Sequence, residues 1–60
     1  MTYKEFKNTE IYHMADVLEV YPENSIFEFD FNFPEEELEK MEVVKFVSDG
    51  CGYVSVTLRS

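Results

Sequence analysis

The chain has little of what small proteins use to brace themselves or to do chemistry. It carries one cysteine, Cys51, and one histidine, His13, in sixty residues. A lone cysteine excludes an internal disulfide, and one Cys with one His excludes the Cys/His spacings of structural zinc sites. Bases are scarce too: five Lys and Arg stand against thirteen Asp and Glu, for a net charge of -8. That deficit speaks against direct binding to nucleic acid, where affinity for phosphate rests on Lys and Arg. It speaks equally against an anionic membrane surface. No apolar run approaches the roughly 20 residues that span a bilayer. Met1–Asn8 (MTYKEFKN) lacks the apolar segment of a secretory signal. With an unpaired cysteine and no export signal, the cytoplasm is the expected compartment. Repeats, low-complexity tracts and linkers are absent as well.

What is present fits one small domain over residues 1–60. A chain of this size buries only about 60% of its unfolded surface. With disulfide and metal excluded, self-association is the remaining remedy, and a homodimer is expected. The composition is 45% hydrophobic and 17% aromatic, too apolar for a disordered chain. Four Tyr and six Phe are many for one core of this size, which places some of them at an interface. Lys40 is the only base between Asn8 and Val44. So acidic a middle serves solubility or a basic partner.

Residues 25–33 (SIFEFDFNF) alternate: Phe27, Phe29, Phe31 and Phe33 on one parity, Glu28, Asp30 and Asn32 on the other. Period two predicts a strand with an aromatic and an acidic face. Tyr21–Ser25 (YPENS) reads as a turn, with Asn24 suited to a left-handed conformation. Thr9–Tyr21 supports two readings. Ile11, Met14, Ala15 and Leu18 match a helical stripe, with Thr9 as N-cap. Val17, Leu18, Val20 and Tyr21 favour a strand, and a hairpin through the turn would give the Phe strand a partner. The hairpin is the favoured reading. Pro34 followed by Glu35, Glu36 and Glu37 predicts a helix start. The helix would carry Leu38 and Met41 inward and end between Val43 and Phe46, although Val43–Val47 also suits a strand. Ser48–Gly52 (SDGCG) is a break. Tyr53–Leu58 (YVSVTL) reads as a closing strand, with Val54, Val56 and Leu58 on one face. The expected fold is α+β, an antiparallel sheet packed against one helix in the order ββαβ, or ββαββ if Val43–Val47 is a strand.

Catalytic chemistry has little to stand on. His13 has no motif around it, and Cys51 between two glycines reads as a turn residue. There is no phosphate-binding glycine loop, no HExxH and no calcium loop. No pair of carboxylates stands out as a hydrolase couple. A non-enzymatic protein without cofactor or metal is expected. What remains is the spacing of the acids. On a strand, Glu28 and Asp30 would stand about 6.6–6.8 Å apart, comparable with successive phosphates of one DNA strand. On a helix, Glu35, Glu39 and Glu42 would share a face. Taken alone, that pattern is the ordinary one of a solvated helix face.

These features together resemble the small dimeric uracil-DNA glycosylase inhibitors of bacteriophages that infect Bacillus. The resemblance covers about Thr9 to Leu58. It rests on charge, on the acidic turn YPENS, on the aromatic-acid stretch IFEFDFNF and on the apolar-acid pair in LEKME. It implies a homodimeric DNA mimic that inhibits uracil-DNA glycosylase and so acts on DNA repair. In that family a cleft between the subunits takes up an apolar side chain of the enzyme, and carboxylates around it replace phosphates. Leu38 and Glu39 would correspond to a helix-borne aromatic-glutamate pair, with Leu in place of the ring. Glu28 and Asp30 would be strand acids, and Met41 or Phe33 would help line the cleft. The implied partner-binding set is Glu28, Asp30, Glu35, Leu38, Glu39, Met41 and Glu42. The same charge pattern would serve an acidic DNA mimic, or an interaction module, aimed at another basic nucleic-acid-binding protein.

Overall fold

The structure, a computed structural model, describes all residues from Met1 to Ser60. Two single-turn helices open the chain, α1 (Tyr3–Phe6) and α2 (Glu10–His13), followed by β1 (Val17–Pro22), α3 (Glu35–Glu39), β2 (Glu42–Ser48) and β3 (Tyr53–Arg59). The three strands form one sheet in the order β1-β3-β2. β3 pairs parallel with β1 and antiparallel with β2. The fold is α+β as expected, with a mixed sheet where an antiparallel one was anticipated.

Short polar side chains start the opening helices. Thr2 and Glu5 form a reciprocal capping box: Glu5 N–H donates to Thr2 Oγ1 at 3.2 Å and Thr2 N–H donates to Glu5 Oε1 at 2.8 Å. Thr9 caps α2, as the sequence predicts, accepting from Tyr12 N–H at 3.3 Å. The helical and strand readings of Thr9–Tyr21 each hold for part of the segment, because Ala15 and Asp16 separate a helical turn from β1. The hairpin reading does not hold: β1 pairs with the distant β3, and residues 25–33 form no strand on its other edge.

β3 supplies the core. Its alternation is as anticipated: Val54, Val56 and Leu58 point inward and are buried with Tyr3, Phe6 and Leu38. Ile11, Tyr12, Leu18, Val20, Phe29, Met41 and Val43 pack around these six. Phe6 is fully enclosed, its ring 5.3 Å from that of Phe46 and 6.2 Å from that of Tyr12. The turn before β3 is tied to the start of β1: Gly52 C=O accepts from Asp16 N–H at 2.7 Å and Val17 N–H at 2.9 Å. A Cβ on Gly52 would lie 2.6 Å from Asp16 Oδ2, and φ there is +103°, so only glycine suits the position.

Two expected elements are corrected. Residues 25–33 form no strand. Their backbone is taken up locally: Phe27 N–H donates to Ser25 Oγ, Asn32 N–H to Asp30 Oδ1 and Phe33 N–H to Asp30 C=O. Ser and Asp side chains thus replace a ladder, and beyond the turn bond from Ser25 N–H to Pro22 C=O only Phe29 N–H to Val20 C=O, at 2.9 Å, ties the loop backbone to β1. The four rings therefore do not share a face. Phe29 and Phe33 meet at 5.0 Å, whereas Phe27 and Phe31 are 73% and 92% exposed. The helix after Pro34 stops at Glu39, and Val43–Val47 lies in β2, as the ββαββ alternative anticipated. β-branched and aromatic residues from Val43 onward favour the pleated surface over a continued helix. The turn at Glu23–Asn24 holds, with Asn24 at φ 69°. No helix is long and apolar enough to cross a membrane.

Phe6→Ala removes the most enclosed ring, a change that costs about 3–5 kcal/mol in a packed core. Against the marginal stability of so short a chain, this variant is expected to be largely unfolded at 25 °C. Far-ultraviolet circular dichroism with urea titration checks it, and an unchanged midpoint would contradict this core.

Candidate functional site: an acid-rimmed apolar hollow

The loop 25–33 crosses the outer edge of β1 and closes a hollow of about 210 Å³ against α3. Leu18 and Val20 form its floor, because alternate residues of β1 face the same way as the core row of β3. Phe29, Phe31, Phe33 and Leu38 complete the apolar lining, and Glu28, Asp30 and Glu35 belong to its wall. The volume falls below the 300 Å³ or so at which pockets for drug-sized ligands begin. It suits one apolar side chain better than a metabolite. Glu28 and Asp30 have no Lys or Arg within ion-pairing distance. Asp30 is oriented by the bond it accepts from Asn32 N–H at 2.8 Å.

Of the seven residues expected to bind a partner, the structure brings Glu28, Asp30, Glu35 and Leu38 together here. The acids occupy a loop rather than a strand face, and Leu38 is buried as part of the core. The other three lie elsewhere. Lys7 Nζ sits 2.7 Å from Glu35 Oε2 and 3.0 Å from Glu39 Oε2. Glu39 is thereby turned toward α1, and Glu35 reaches the hollow already countered by a base. The two carboxylates hold the Lys7 ammonium well above the usual lysine range. Met41 lines a neighbouring hollow of about 350 Å³ with Phe29, Leu58 and the ion-paired Glu23 and Arg59. Glu42 starts β2, 3.4 Å from the amino terminus, and so never shares a helix face with Glu35 and Glu39.

Sequence reasoning missed Leu18, Val20, Phe29 and Phe31 as lining residues. The alternation of Leu18 and Val20 with Glu19 and Tyr21 was a usable signal for one apolar edge. Nothing local indicated that the Phe loop would cover that edge. The opposite face of β1 carries a separate polar cluster. Tyr21 and Tyr53 hydroxyls both donate to Glu19 Oε1, at 2.7 Å and 2.8 Å. These bonds hold the Glu19 carboxyl below its usual range and push the Tyr21 phenol up to about 12. No three His, Cys, Asp or Glu side chains converge in a way that could hold a metal ion.

Compared with protein-family models, with curated proteins and with solved structures, the chain matches none.

Two outcomes test this electrostatic layout. Lys7→Gln leaves Glu35 and Glu39 one turn apart without their shared countercharge. Because these side chains are partly exposed, the expected loss of stability is modest, about 0.5–1 kcal/mol. It should shrink in high salt, as urea titrations would show. The second concerns alkali. The Tyr21 hydroxyl and the desolvated Tyr3 hydroxyl both ionise near 12 rather than at the ordinary 10.0. A folded-state pKa raised in this way stabilises the fold below pH 10, and that contribution is lost as pH rises through about 12. Tyrosinate absorbance followed against pH should show three late-ionising tyrosines in the wild type, Tyr3, Tyr21 and Tyr53. One of them should disappear in Tyr21→Phe.

Proposed function

We propose that the protein is an acidic binding module that takes an apolar side chain of a basic protein into the hollow beside β1. The observation that carries this reading is the joining of an apolar floor (Leu18, Val20, Phe29) to a rim bearing Glu28 and Asp30 without counter-ions. A basic surface with one protruding apolar residue is complementary to it in charge and in shape. Nucleic-acid enzymes that extrude a base present such a surface, with a basic groove and an apolar wedge. The specific form of the reading is a DNA-mimicking inhibitor of uracil-DNA glycosylase. Its support is the resemblance in charge and in the stretch IFEFDFNFPEEELEK. The parallel pairing of β1 with β3 departs from the hairpin–helix–strand order of that resemblance. The hollow also forms within one chain rather than between two subunits. The second reading, an acidic mimic or module for another basic nucleic-acid-binding protein, draws on the same rim and hollow.

The direct assay adds the purified protein to uracil-DNA glycosylase and uracil-containing DNA. Inhibition at stoichiometric protein, relieved by added salt, is the expected result. Full excision at several-fold excess of the protein would end the glycosylase reading. In that case, salt-sensitive retention by other DNA-groove proteins would support the second reading. Glu28→Gln combined with Asp30→Asn should weaken binding chiefly through a slower, less salt-dependent association. Leu18→Lys, which places a charge in the floor, should abolish it.

A further inference from the structure

β2 is the other edge of the sheet. Its outer side is met only at its beginning: Thr2 bridges Glu42, and Val43 N–H donates to Met1 C=O at 2.7 Å. Past Val43 no backbone from elsewhere in the chain bonds to that edge. A strand edge left open in this way, here from Val44 to Ser48, is a template for another strand unless it is blunted by charge, proline or a bulge. The only irregularity, between Val43 and Lys45, lies at the end already covered. Val44 within it and Phe46 and Val47 beyond it are exposed, Val47 by 57%, and Lys45 is the only charge from Val43 to Ser48.

We propose that this edge binds a second copy of the chain, two β2 strands pairing antiparallel about a two-fold axis at Phe46. The occupant follows from charge. At -8 per chain, two copies repel wherever their acids face each other. The exposed rings Phe27 and Phe31 are flanked by Glu28 and Asp30, so contact there would oppose carboxylates. Val43–Ser48 is apolar and carries a base instead. With Phe46 on the axis, Lys45 lies opposite the partner's Val47 and diagonal to the partner's Asp49, at about 7–8 Å between positions, within reach of a lysine. Lys45 has no acidic partner in its own chain. Asp49 uses only Oδ1, accepting from Cys51 and Tyr53 N–H. Symmetry makes two such ion pairs. An axis at Lys45 would instead oppose the two lysines, which disfavours that register.

The product is a six-stranded sheet in the order β1-β3-β2-β2-β3-β1. Five strand spacings of about 4.8 Å set the two β1 strands about 24 Å apart, so both acid-rimmed hollows stay open at the outer edges. This inference is independent of what those hollows bind.

Sedimentation velocity of the full chain across concentration tests it. A dimer in fast exchange with monomer is expected at micromolar concentrations. Val47→Lys should be monomeric with an unchanged circular dichroism spectrum. Lys45→Glu, at an exposed position outside the core, should weaken the dimer tenfold or more. It decides the matter if Val47→Lys fails to fold. Phe31→Ser, at the far edge, should leave the dimer intact. A wild-type chain that stays monomeric up to ~100 µM overturns the proposal. So does a dimer that survives Lys45→Glu but is lost in Phe31→Ser.

Discussion

The structure hangs on the inward row of β3. Val54, Val56 and Leu58 lie on the central strand, so their burial holds both neighbouring strands as well as the helices above them. Tyr3, Phe6 and Leu38 close over that row from α1 and α3. None of these helices exceeds five residues, and helices so short have little stability of their own. Their caps and their one or two buried side chains keep them in place. Thr2 and Glu5 fix α1, and Lys7 joins it to α3 through two carboxylates. The same six buried residues are few for sixty, which leaves large apolar groups at the surface.

The acids are put to three distinct uses. Glu5, Asp30 and Asp49 accept backbone N–H groups and shape turns and caps, where a carboxylate is the stronger acceptor. Glu23, Glu35 and Glu39 are held by Arg59 and Lys7. Glu28 meets no base and stands at the edge of β1, beside the hollow. Net charge therefore says less about the surface than the division between acids spent on structure and acids left free. Asp30 belongs to both groups, bonded through one oxygen and directed to solvent at the rim.

The two edges of the sheet are opposites. At β1 the Phe loop covers the strand, leaves a small apolar hollow and borders it with carboxylates. At β2 the strand is bare, apolar and nearly free of acid. A sheet with unlike edges can associate through one and present the other, because repulsion keeps the acidic edges apart while the apolar edges gain from contact.

The residues alone determined much of this. Alternation in Tyr53–Leu58 marked the buried row correctly, because inward and outward positions of a central strand are set by a period of two. Thr9, Asn24 and the Ser48–Gly52 break were legible because caps and turns depend on a few neighbouring atoms. The acid-beside-aromatic character of residues 25–33 was equally plain, and the rim acids Glu28 and Asp30 followed from it. The tertiary structure decided what those residues would pair with. Alternation is a necessary property of a strand but not a sufficient one, since a ladder needs a partner. β3, far along the chain, took one bonding edge of β1, and the Phe stretch lay along the other without forming a ladder. Ser25 and Asp30 then offered the Phe stretch local bonds instead, and Glu39, Met41 and Glu42 were drawn away from the site by Lys7, a neighbouring hollow and the start of β2.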